Sequence, residues 1–249
     1  MVRVLVLLLA LAMPAVSWMS QQGWFGSDIG TVSNRDPSLI VASGYAFAIW
    51  GLIFALSIGY AVWQLLPARR NDLVARRLAW PAAGVFALTS AWMIVFPHQV
   101  FWLALLVIWS SLALLLLIVK RLSPPPRKLR GIEVVLVRWT FLIFCAWVAL
   151  ASFLNIAQSI LAYRIDLGVA PVVWSTALLV LAAVLLLLVN RRVQGDIVFT
   201  ATAWWALIGI WMKQSASAAP GAQVTAWTAV AIAAVLLVHT LWLRFRTRR

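Results

Sequence analysis

Eight apolar stretches, at about residues 3–20, 39–66, 79–96, 100–119, 139–163, 171–189, 197–213 and 224–243, alternate along the chain with short polar separators. They are uniformly apolar and too long for barrel strands. Lipid offers no partners for backbone N–H and C=O groups, so runs of about 20 apolar residues cross the hydrocarbon core as α-helices. The pattern predicts an all-α, polytopic membrane helix bundle of about eight transmembrane helices. Only Pro97-His98-Gln99 separates the third and fourth stretches, which predicts a tight helical hairpin. Ser123-Pro124-Pro125-Pro126, set among Lys120, Arg121, Arg127, Lys128 and Arg130, predicts a solvated basic loop. The first stretch has two readings. Arg3, Val4–Met13 and Ala15-Val16-Ser17 fit a retained helix, the reading adopted, and also fit a secretory signal with a small-residue cleavage site.

Composition agrees and narrows the class. Hydrophobic residues make up 65% of the 249 positions and charged ones 10%, against roughly 45–50% and 25% in soluble domains. That excludes a cytosolic enzyme, a disulfide scaffold and a disordered tail. The single Cys145 allows neither an internal disulfide nor a thiolate metal cluster. The net charge of +14 has a topological meaning. With the N-terminus inside, the cytoplasmic segments carry Arg3; Arg69, Arg70, Arg76, Arg77; Lys120, Arg121, Arg127, Lys128, Arg130, Arg138; Arg191, Arg192; and Arg244, Arg246, Arg248, Arg249. These are seventeen of the twenty Lys and Arg residues, leaving Arg35, Arg164 and Lys213 opposite. The acids divide evenly, with Asp28, Asp36 and Asp166 outside and Asp72, Glu133 and Asp196 inside. This positive-inside bias predicts a multi-pass inner-membrane protein with both termini cytoplasmic, whose basic residues meet the lipid bilayer and no nucleic acid. The Arg244–Arg249 tail fits attraction to anionic lipid and also a stop-transfer anchor, the reading adopted.

Ionisable side chains within the stretches are nearly absent, which argues against an ion-coupled pump and against hydrolytic chemistry. No catalytic set or metal site emerges: His98 and His239 sit near opposite faces, where each is an interfacial histidine or at most a single axial ligand. Tryptophan is the outlier, at 16 residues. Trp18, Trp24, Trp80, Trp102, Trp139, Trp174, Trp227 and Trp242 fall near stretch ends and read as an interfacial belt, whereas Trp50, Trp92, Trp109, Trp147, Trp204 and Trp205 fall deeper. In the fifth stretch Trp147, Ala151, Asn155 and Gln158 or Ser159 share one helix face. Such a face either packs against other helices or lines a cavity for a large planar apolar ligand. Gly51, Ala55 and Gly59 in the second stretch form a small-residue ladder suited to helix packing.

Three segments then resemble the TspO/MBR family, the tryptophan-rich sensory or translocator proteins. They are Ser43-Gly44-Tyr45-Ala46-Phe47-Ala48-Ile49-Trp50 with Phe54, Leu88-Thr89-Ser90-Ala91-Trp92 with Phe96, and Trp147-Val148-Ala149-Leu150-Ala151-Ser152-Phe153-Leu154-Asn155. The resemblance spans about residues 1–163, a five-helix core to which residues 164–249 add three helices. The sequence departs from the family pattern in reducing its proline-rich loop to Pro37, in lacking one residue between Phe47 and Trp50, and in placing Thr89 where the family has Asn. The resemblance implies a cavity binding porphyrin or another tetrapyrrole, a sterol-like or a carotenoid-like ligand. By it, Trp50, Trp147 and Ala151 are cavity residues, with Thr89, Trp92, Phe54 and Asn155 beside them. The expectation is a membrane binding or sensory protein for a planar hydrophobic ligand, acting in its transport or regulation. The partners expected are that ligand and a homodimer mate or a membrane complex. Two rival readings are a structural subunit of a larger membrane complex and, less supported, a porphyrin-degrading enzyme.

Overall fold

In the computed structural model, residues 1–27, 30–32 and 38–247 are described. Asp28, Arg35, Asp36, Pro37, Arg248 and Arg249, used in the sequence reading, lie outside the described residues. Among those described there is no strand, and the eight long helices are α1 (Val2–Gln21), α2 (Ile49–Leu65), α3 (Leu73–Val95), α4 (Phe101–Arg121), α5 (Thr140–Ala162), α6 (Pro171–Arg192), α7 (Ile197–Ser215) and α8 (Ala222–Thr247). Each corresponds to one apolar stretch. Seven are long and apolar enough to cross a membrane, α2 and α5 together with the turns that lead into them. The remaining one, α7, has 19 residues, and its tryptophans with Lys213 and Gln214 dilute its apolar character.

Helix ends follow local chemistry. The third helix starts at Leu73 rather than 79, because Asp72 caps it: one carboxylate oxygen accepts from the N–H groups of Val74 (2.8 Å) and Ala75 (3.1 Å). Asp196 caps α7 in the same way through Val198 (2.9 Å), and Pro171 occupies the first turn of α6. The second stretch begins later than expected. Residues 38–43 are not helical, Gly44–Ala48 form a 3-10 turn, and α2 starts at Ile49.

The chain divides into two compact units: Met1–Ile29 with Ile49–Cys145, and Gly30–Ala48 with Ala146–Arg249. In the first, α1 packs on α2 and α3, and α3 packs along α4 as the predicted hairpin. The basic end of this unit is not a merely solvated loop. Arg127 pairs with Asp72 (2.5 Å) and Glu133 (2.7 Å), and Arg69 pairs with Glu133 (2.7 Å). Arg3, at the start of α1, donates to the carbonyls of Gln64 (3.1 Å) at the end of α2 and of Arg69 (2.7 Å) in the turn that follows it. Hydrogen bonds from Arg127 pull the Glu133 carboxyl below the usual carboxylate range despite its burial. Burial pushes the Asp72 carboxyl up, but bonds from the Ala75 N–H and from Arg127 outweigh it and hold the group below that range. The Gly51/Ala55/Gly59 ladder packs only at Gly59, where a Cβ would meet Leu136 at 2.7 Å; Gly51 and Ala55 are exposed.

In the second unit, α8 packs along both α6 and α7. Neutral polar side chains join one end of the three helices. The buried Asn190 amide donates to Thr240 (2.9 Å), and the Thr200 and Thr240 hydroxyls bond each other (2.8 Å). At Gly195, with φ of +69°, a Cβ would lie 2.7 Å from the Thr240 carbonyl oxygen, so only glycine makes this close turn between α6 and α7.

Candidate functional site

The predicted ligand residues fall into two groups, one in each unit. In the first unit, Trp50 opens α2, and Phe54 follows one turn later on the same face. Trp92 and Phe96 repeat that spacing where α3 ends. The result is a run of near-parallel rings: Phe54 to Trp50 (5.7 Å between centroids, 26°), Trp50 to Trp92 (6.4 Å, 22°) and Trp92 to Phe96 (4.8 Å, 26°). Phe144 meets Trp50 edge-on at 6.0 Å, and Phe101 meets Phe96 edge-on at 5.6 Å. Offset stacks and edge contacts of this kind hold rings in fixed planes. Trp92 is buried, while Trp50 keeps an accessible portion. Thr89 lies one turn before Trp92, but its hydroxyl donates to its own helix at the Val85 carbonyl (2.8 Å).

In the second unit, Trp147 is 5% exposed and meets Phe47 edge-on at 5.7 Å. Asn155 is buried and its amide donates to the Ala151 carbonyl one turn back (2.9 Å). Ser152 and Ser159 likewise bond carbonyls of α5, those of Val148 and Asn155 (both 2.8 Å). The Asn155, Ser152 and Ser159 groups thus satisfy helix carbonyls, while Ala151 keeps the face shallow beside Trp147.

The 38–48 segment carrying Phe47 is held by residues that the sequence did not single out. The Ser43 N–H donates to the Gly209 carbonyl (2.9 Å), and the Gln214 amide donates to the Val41 carbonyl (3.1 Å). Trp205 donates its indole N–H to the Ala46 carbonyl (2.9 Å) and packs edge-on against Tyr45 at 4.9 Å. Non-helical backbone in an apolar protein needs such internal partners. Gly209 permits the approach: a Cβ there would lie 2.9 Å from that of Ala46. The signal in the sequence is slight: a glycine inside the tryptophan-rich seventh stretch and a glutamine just after it.

Burial varies within both groups of tryptophans: Trp174, near the start of α6, is buried, and Trp205, midway along α7, is exposed. An apolar groove of about 280 Å³ in the second unit lies between α7 and α8, walled by Trp204, Leu207, Trp211, Ala229, Ala233 and Leu237. The histidines have local roles in separate units. The His98 ring lies 2.7 Å from the Ile94 carbonyl, and His239 contacts Asn190 (3.2 Å) and stacks near Trp242 (6.0 Å). Among the described residues no three His, Cys, Asp or Glu side chains gather where a metal could bind.

Compared with known proteins, the chain matches a family model described as TSPO-like protein over residues 3–242. The match runs beyond the five-helix region of about 1–163 and takes in the last three helices. No curated protein and no solved structure matches it.

Proposed function

The chain belongs to the TSPO-like protein family, and from that premise we propose that it binds a planar hydrophobic ligand of the tetrapyrrole class in the membrane. The observation that carries this reading is the run of near-parallel rings Phe54, Trp50, Trp92 and Phe96. A macrocycle gains most from flat faces already held in position, because ordering them on binding would cost free energy. Trp50, still partly accessible at the start of α2, is the ring whose open portion a ligand would meet. Phe54 and Trp92 hold its plane, and Thr89 lies one turn before Trp92. Trp147, Ala151 and Asn155 form a second candidate set, resting on the family resemblance and on the shallow face of α5. Lateral entry from the bilayer suits an apolar ligand, and orientation with both termini in the cytoplasm follows from the positive-inside distribution. In this reading the protein senses, carries or buffers its ligand.

The test is a titration of the detergent-purified protein with protoporphyrin IX, following tryptophan quenching and Soret absorbance. Saturation at one equivalent is expected. Trp50→Leu with Trp92→Leu should weaken binding by about tenfold or more, since each ring contact contributes roughly 0.5–1.5 kcal/mol. Ala151→Phe tests the second set on its own. Non-saturating quenching would favour a structural subunit.

A further inference from the structure

A groove of about 630 Å³ opens between the start of α3 and the end of α4, within the first unit. Arg76, Arg77 and Trp80 line it from α3, and Leu114, Leu117 and Arg121 from α4. None of the lining residues is acidic. Arg121 donates to the Arg77 carbonyl and so joins the two helix ends at the mouth. Leu114, Leu117 and Arg121 follow at three- and four-residue steps and share one face of α4. At 1.5 Å per residue, Leu114 lies about 10 Å deeper than Arg121 along the helix. The groove is therefore cationic at its mouth and apolar below, with the exposed Trp80 indole as one wall.

Orientation of the chain needs only the number of arginines near a helix end. It does not need them gathered around an apolar furrow. We propose that this groove binds an anionic phospholipid, its phosphate at Arg76, Arg77 and Arg121 and its upper acyl chain along Leu114, Leu117 and Trp80. Guanidinium groups match phosphate oxygens in paired hydrogen bonds, and basic pockets between membrane helices suit acidic headgroups. The apolar lower half separates a lipid from a free phosphate, which would meet the arginines but leave the leucines unused.

The experiment is native mass spectrometry of the full chain in detergent with equal amounts of phosphatidylglycerol and phosphatidylcholine. One phosphatidylglycerol retained per chain, in about tenfold preference over phosphatidylcholine, is expected. Arg76→Gln with Arg77→Gln should reduce its retention about tenfold; both residues are exposed, so the helices should keep their circular dichroism. Arg191→Gln with Arg192→Gln removes the same charge elsewhere and should change retention less than about twofold. Leu117→Ser keeps every charge and should also lower retention. Excess inorganic phosphate should not displace the lipid. Equal retention of the two lipids, equal loss in both arginine pairs, no effect of Leu117→Ser, or displacement by phosphate would each overturn the proposal.

Discussion

The two units solve one problem, the polar group in an apolar molecule, by different means. The first sets its charges at one end, where Arg69, Asp72, Arg127 and Glu133 close an ion network between two loops, and its interior holds stacked rings beside buried hydroxyls, such as Thr89 and Thr140, that bond helix carbonyls. The second keeps neutral polar groups among its helices: Asn190, Thr200 and Thr240 bond one another, and α7 supplies a carbonyl, an amide and an indole N–H to non-helical backbone. Buried carboxylates need charged partners that still reach water, as Arg69 and Arg127 do, whereas amides and hydroxyls can be fully satisfied inside. Acid and salt should therefore act on the first unit, and steric or hydrogen-bonding changes on the second.

The largest effect should come from breaking the reception of residues 38–48. Gly209→Leu places a side chain where Ala42 and Ala46 already sit, and should lower stability by about 3 kcal/mol, read as thermal unfolding in micelles. Asn190→Leu should cost about 2 kcal/mol, because it removes the buried amide and its hydrogen bond to the Thr240 hydroxyl in the second unit. Glu133→Gln should cost less, about 1–2 kcal/mol, because its arginine partners are roughly one-third exposed and water screens them.

The same carboxylates give a pH dependence with a definite sign. Asp72 and Glu133 titrate below the ordinary carboxylate range when folded. Their stabilisation is complete above the unfolded value near pH 4 and is lost as pH falls through the lower folded values. Hydrogen-exchange protection in residues 66–72, corrected for the intrinsic slowing of exchange in acid, should fall as pH drops below about 4, and Glu133→Gln should flatten that response. The smallest effect is expected at Thr89→Val, below about 1 kcal/mol, since the hydroxyl bonds only a carbonyl of its own helix.

Helix existence was legible in the sequence because spanning segments must be apolar along their whole length. Each of the eight stretches became a helix, and the Pro97–Gln99 hairpin formed where expected. What stayed hidden depended on pairing over distance. Arg127 and Asp72 lie 55 positions apart and each reads alone as a loop charge. Asn190 and Thr240 lie 50 apart, each one polar residue near a helix end. The late start of α2 was invisible for a related reason: residues 38–48 are apolar enough for a helix, and only their partners on α7 show why they need not form one. Of the candidate site, the Trp50–Phe54 and Trp92–Phe96 spacings were readable as helix faces, but the stacking of Trp50 on Trp92 was not.

The comparison between units also sharpens the functional reading, since each holds a tryptophan surface that a flat ligand could use: the ring stack in one and the Trp204/Trp211 groove in the other. The measurement that tests the central claim most directly is the protoporphyrin IX dissociation constant, by Soret absorbance, of Trp50→Leu/Trp92→Leu beside that of Trp204→Leu/Trp211→Leu. The stack predicts binding weakened about tenfold or more in the first variant and within about twofold of the parent in the second. Equal weakening in both, loss confined to the second, or no saturable binding in the parent protein would contradict it.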